Sequence, residues 1–189
     1  MQEDSFSPFV DGSDITETDL DSLLPEYLVV TELRKDAFGT VFKARNKKLQ
    51  KAVNIRILPV PANEFPGGGE TFLQYAAALP PFQHPHLAEI SDYGVTEAGH
   101  LYLVTNAGEK DAKTVLVNDA ETIRASFGSL LEILQWLNES VTNHGFINVE
   151  NLTFDEYGNL KVDGFGLAGL TESMNQYYDP TQSSEFIAP

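Results

Sequence analysis

Extended and helical signals are segregated along this chain, and that order restricts the folds open to it. YLVVTEL, TVFKAR and AVNIRIL are short runs rich in Val, Ile, Phe and Thr, separated only by KDAFG and NKKLQK. Spacers that short suit an antiparallel three-stranded meander. PVPANEFPGGG then leads into a short apolar helix over Glu70–Leu79, which Pro80-Pro81 stops because proline lacks the backbone donor. LAEISDYGV and HLYLVT read as two further strands about an AGH turn. After Asn106-Ala107-Gly108, a plausible hinge, the period changes. Ile123, Phe127, Leu130, Leu131, Leu134 and Leu137 recur at three- and four-residue steps, which predicts a long amphipathic helix capped by Asn118 or Asp119. NLTF and NLKV flanking DEYG then read as a hairpin. Strands gathered in one half and a long helix in the other predict an α+β fold.

Charge narrows the functional classes. Twelve Lys and Arg stand against 28 Asp and Glu, a formal net charge of −16, which disfavours nucleic acid and anionic membrane surfaces as partners. Eight of the acids fall in residues 1–26, where there is no Lys or Arg, so this leader is expected to be a solvated acidic tail. The sharper alternative is a segment that docks on its own domain or on a basic partner. With no cysteine, disulfides, thiolate nucleophiles and Cys-type zinc sites are excluded. MQEDSFSPFV carries acids where a signal peptide has a basic segment and an apolar run, so a cytoplasmic location is expected.

Val162–Leu170 reads VDGFGLAGL, in which Gly164, Gly166 and Gly169 spell G-x-G-x-x-G. A dinucleotide site needs that loop to open a helix, then a parallel strand, and an acid about 20 residues on. The chain beyond Gly169 offers no long helix or partner strand, so the match is expected to be coincidental. His84 and His86 in HPH invite a metal reading, but no acid or third histidine is close in sequence. Gly67-Gly68-Gly69 lacks the Lys and Ser/Thr of a phosphate-binding P-loop.

The order of these segments, and their wording, resembles the protein-kinase family, in particular the bacterial serine/threonine type. ELRKDAFGTVFKAR is similar to the glycine-rich loop, VNIRILP to the strand bearing V-A-I-K, HGFINVEN to the catalytic loop, KVDGFGLA to the D-F-G segment and SSEFIAP to the run into A-P-E. The resemblance implies an N-lobe of five antiparallel strands and one helix over 27–105, and a partial, mainly helical C-lobe with a β-hairpin over 106–189.

Position by position, the resemblance also implies altered chemistry. Gly39 and Val41 match the loop, whereas Arg34 and Asp36 stand at its first two glycines. Alternation along the third strand puts Val53, Ile55 and Ile57 on one face and Asn54 and Arg56 on the other, at the family's Ala and Lys positions. Tyr75 occupies the expected glutamate position, Phe146 the catalytic aspartate, Gly145 and Asn148 the loop's Arg and Lys, and Gly164 the metal-binding aspartate, while His144 and Asn151 match. Asp163 adjoins Gly164, but strand alternation would turn it to the opposite face. Phosphoryl transfer relies on the missing groups. The implied reading is a chain with no catalytic residues, ATP or metal, a pseudokinase that scaffolds or regulates an unidentified protein partner. Gly39, Val41, Asn54, Arg56 and Asn151 would then line a vestigial pocket. The alternative is a divergent ATP-binding protein or phosphotransferase using Arg56, Gly39 and Asn151. With half a second lobe, the apolar face of the long helix is expected to seek another chain, giving an oligomer or an obligate partner.

Overall fold

A computed structural model describes residues 15–36, 38–79, 83–106, 108, 110–116, 120–139 and 147–170. The expected meander forms as β1 (Tyr27–Asp36), β2 (Gly39–Asn46) and β3 (Ala52–Pro61), and β4 (Ile90–Val95) and β5 (His100–Thr105) complete an antiparallel sheet ordered β1-β2-β3-β5-β4. Gly39 starts β2 with φ +107°, and a Cβ there would fall 1.9 Å from the Ile57 carbonyl oxygen. Only glycine lets β2 run that close to β3.

Alternation along β3 separates two environments. Val53, Ile55 and Ile57 join Phe42, Tyr102 and Val104 in an apolar cluster on one face. Its cover comes from the acidic leader. The tail expected over 1–26 is corrected in its second half, because Ile15, Leu20 and Leu24 are buried in that cluster. Residues Glu17–Leu23 form helix α1, closed by a capping box in which the Thr16 hydroxyl accepts from Asp19 N–H while Asp19 Oδ2 accepts from Thr16 N–H. Two of its acids also serve edge strand β1: Asp21 Oδ1 accepts from Val29 N–H and Glu17 Oε1 from Glu32 N–H. A charge count sees only the carboxylates, whereas Ile15, Leu20 and Leu24 supply the burial that holds the segment down.

On the other face, α2 (Gly68–Ala78) packs Phe72 and Ala76 against Phe38, Leu58, Val60, Leu101 and Leu103. In the second half lie β6 (Lys110–Asp111), the one-turn α3 (Ala112–Val115), α4 (Ala120–Glu139), and the hairpin of β7 (Leu152–Phe154) and β8 (Leu160–Val162). The caps proposed for α4, Asn118 and Asp119, lie outside the described residues. In the hairpin turn, Asp155 Oδ1 accepts from Tyr157 and Asn159 N–H, and Gly158 takes φ +85°. Helix α4 packs through Ile133 and Leu137, with Leu130 partly buried, against Phe154, Leu160 and Val162. Its other apolar stripe, Ile123, Phe127, Leu131 and Leu134, points outward, with Phe127 63% and Leu131 66% exposed. Among the described residues, no helix is long and apolar enough to cross a membrane.

Candidate functional site

Sheet register builds the site. Arg34 on β1 lies opposite Val41 on β2, Val41 opposite Arg56 on β3, and Arg56 opposite Leu103 on β5. Asp36, two residues beyond Arg34, falls on the same face of the strand. The result is a buried row of charge. Asp36 Oδ1 accepts from Arg56 Nη1 at 2.5 Å and from Phe38 N–H at 2.8 Å, while Asp36 Oδ2 lies 3.5 Å from Arg34 Nε.

The fourth member arrives from the other sheet. Asp163 follows β8 and is buried, its Oδ2 accepting from Arg34 Nη2 at 3.2 Å and its Oδ1 from the Thr105 hydroxyl at 3.0 Å and Gly164 N–H at 2.8 Å. The orientation expected for it is corrected. β8 ends at Val162, so strand alternation does not extend to Asp163, and Gly164 departs at φ +87°. The Asp163 N–H donates to the Asn151 carbonyl at 2.8 Å, which fixes the segment against the preceding loop. Neither Asp163 nor Thr105 stood among the expected pocket residues.

Electrostatics within the row are mutual. Burial acts to raise the Asp36 carboxyl, but the Arg56 guanidinium, its hydrogen bond and Arg34 outweigh that and hold it below the ordinary carboxylate range. For Arg56, burial opposes the charge, and Asp36 outweighs burial to raise the guanidinium further. The row is neutral overall, two arginines against two aspartates.

The other expected positions fall around this row. Asn54 lies opposite Thr105, buried, and shares with Arg56, Leu103, Asp163, Gly164 and Phe165 a cavity of about 10 Å³. Val41 and Asn151 are fully buried. The side chain of Asn148 accepts from Glu150 and Asn151 N–H and so caps the turn carrying Asn151. Tyr75 on α2 donates its hydroxyl to the Gly166 carbonyl. Close packing here accounts for two of the three glycines of VDGFGLAGL, since a Cβ on Gly169 would fall 2.2 Å from the Tyr75 hydroxyl and one on Gly166 2.9 Å from Leu79. These two glycines make room for Leu79 and Tyr75. His144, Gly145 and Phe146 lie outside the described residues.

The HPH segment docks between the sheets. His86 Nδ1 lies 2.9 Å from the Leu160 carbonyl oxygen and its Nε2 3.6 Å from Glu132, while His84 packs against Trp136 with ring centroids 5.2 Å apart. Burial and then the neighbouring His86 lower the His84 pKa. Among the described residues, no three His, Cys, Asp or Glu side chains converge on a point that could hold a metal ion.

The comparisons agree with this geometry. The family model for the protein kinase domain matches residues 27–189. The chain belongs to the protein kinase domain family. It is similar to CTD kinase subunit alpha of Saccharomyces cerevisiae, at 27% identity over 80% of this chain and 29% of that protein. It is also similar to CBL-interacting serine/threonine-protein kinase 15 of Arabidopsis thaliana, at 26% identity over 82% of this chain and 37% of that protein. A third relative, probable cyclin-dependent kinase 9 of Schizosaccharomyces pombe, is 27% identical over 78% of this chain and 27% of its own length. The chain thus spans about a third of the length of these relatives, all of them eukaryotic, and nothing in them speaks for the bacterial type. One expectation is changed by these matches. The reading of the chain as a non-enzyme is overturned, since the family is the protein kinase domain and the relatives are named as kinases. The expectation of no ATP or magnesium has to be weighed against a family whose members ordinarily bind both.

Proposed function

We propose that this chain is the nucleotide-binding part of a divergent protein kinase, which transfers a phosphoryl group from a nucleoside triphosphate to a protein hydroxyl. The observation that carries the reading is the pair of arginines on one face of the sheet: Arg56 on β3, at the position where the family has its lysine, and Arg34 near the end of β1, at the position of the family's first loop glycine. Phosphoryl transfer proceeds through a loose transition state with charge spread over three oxygens, and positioned guanidinium groups stabilise that charge. Here β3 fixes Arg56 and Asp36 orients it. Asn54 and Thr105 border the same cavity and set its polarity.

Magnesium fits this cleft poorly. Both Asp163 oxygens are taken by three donors, Thr105, Gly164 and Arg34, and two guanidinium charges stand in the same cluster. A hard divalent cation needs carboxylate lone pairs left open to it.

The test is transfer of label from γ-labelled ATP to protein acceptors by the full-length protein, with Arg56→Ala beside it. Transfer that disappears in the variant supports the reading. No transfer, together with no nucleotide-induced rise in melting temperature, sinks it.

A regulatory or scaffolding role is a second reading, compatible with the first. It is favoured by the outward stripe of α4 at Ile123, Phe127, Leu131 and Leu134, for which the occupant proposed is a second copy of the chain. Sedimentation should then show self-association that Leu131→Glu abolishes, and a monomeric wild type would reject it.

A further inference from the structure

The cleft is short of acceptors. Arg34 Nε, Arg56 Nη2 and Asn54 Nδ2 are all buried and have no hydrogen-bond partner, and Arg56 and Asn54 are only 4% and 3% exposed. A buried donor left without an acceptor pays its desolvation penalty unrelieved, and more so when it is charged. Arg34 Nε is held only by its 3.5 Å ion pair with Asp36, and Arg56 Nη2 and Asn54 Nδ2 are left without a hydrogen-bond acceptor, so this face is an unfinished site with two guanidinium forks, whose geometry matches phosphate oxygens.

All but one of the carboxylate oxygens in the row already accept hydrogen bonds. Asp163 accepts from three donors and Asp36 Oδ1 from two; Asp36 Oδ2 has no hydrogen bond, but it faces Arg34 Nε at 3.5 Å. What the cluster lacks is an acceptor in reach of Arg56 Nη2 and Asn54 Nδ2. An added cation would meet two guanidinium charges and carboxylates already engaged by them, whereas a phosphate that displaces the Asp163 carboxylate from Arg34 would meet two forks with N–H groups to spare.

The geometry points to a phosphate site that works without a divalent cation: the terminal phosphates of a nucleotide are held by Arg34 and Arg56, and their oxygens take the place of the Asp163 carboxylate on Arg34. This rests on the nucleotide reading above and specifies how the ligand is held. The cavity beside Asn54 and Arg56, at about 10 Å³, has room for roughly one water. A ligand therefore enters only as the Arg34 to Asp163 contact opens, and that contact competes with it. Asp163 acts as an internal surrogate for the phosphate, so removing its charge should favour the ligand.

The experiment is a fluorescence titration of the full chain with N-methylanthraniloyl-ADP, in excess EDTA and in excess magnesium. Binding should be equally tight in both media. Arg34→Gln should weaken it about tenfold or more, the loss of a charge-assisted fork contact. Asp163→Asn should tighten it, a change of sign that damaged folding would not produce. Binding that requires magnesium, or that is indifferent to Arg34→Gln, overturns the inference and leaves the nucleotide reading standing. Absence of binding in both media, in wild type and in Asp163→Asn, overturns both.

Discussion

The two faces of β3 differ as sharply as any two regions of this molecule. One face, Val53, Ile55 and Ile57, is wholly apolar and is closed by Ile15, Leu20 and Leu24 from the leader. The other carries Asn54 and Arg56 into a neutral but under-paired row of charge. The first face gives stability by removing apolar surface from water. The second places charge where burial penalises it, which is the pattern of a site kept for a ligand.

Five experiments would break or sharpen that contrast. The largest effect is expected from Arg56→Met, which strands the buried Asp36 carboxylate: unfolding free energy in urea should fall by about 3–5 kcal/mol. Adding Asp36→Asn should recover most of it, and a double variant as unstable as the single one would show that the pair is not coupled. The pH dependence has a definite sign. The Asp36 pKa is depressed on folding, so its contribution is present above the ordinary carboxylate value of 3.8 and is lost as pH falls below it towards the folded value. A thermal scan against pH should therefore show a steeper acid decline in wild type than in Asp36→Asn.

On the apolar face, Leu20→Ala removes a fully buried side chain and should cost about 2–5 kcal/mol, read by circular dichroism during denaturation. Nucleotide binding in the folded fraction should not change; weaker binding would mean that the two faces communicate. Thr16→Ala removes the cap of α1 and should cost about 1 kcal/mol, detectable as earlier fraying of that helix in hydrogen exchange. Smallest of all, Phe127→Ser on the outward stripe of α4 should change unfolding free energy by no more than about 0.5 kcal/mol in the isolated chain.

Much of the fold was legible because each element carries its own period. The meander, the second strand pair, α2, α4 and the hairpin appear in the expected order, and the placement of Asn54 and Arg56 opposite Val53, Ile55 and Ile57 follows from alternation alone. Within α4 the period was visible and the direction was not. Of the six apolar positions expected on one face, Leu137 is buried and Leu130 partly buried while Ile123, Phe127, Leu131 and Leu134 point outward, and the helix also buries Ile133 and Ser126, which that set left out. Helical spacing defines a face; only packing against the β7 and β8 hairpin says which face turns inward. The site was legible in its β3 residues and hidden in Asp163, because the end of a three-residue strand cannot be fixed by periodicity.

By itself the sequence determined the order of strands and helices, the polar face of β3 and the membership that its motifs suggest, since each depends on local spacing of residue types. Tertiary structure alone decided that residues 15–24 of the acidic leader cover the sheet, that Gly166 and Gly169 make room for Leu79 and Tyr75, and that Arg34 meets Asp163 across 129 residues of chain. Contacts so distant in sequence exist only when two sheets close on each other, and charge composition carries no trace of which partners that closure will select.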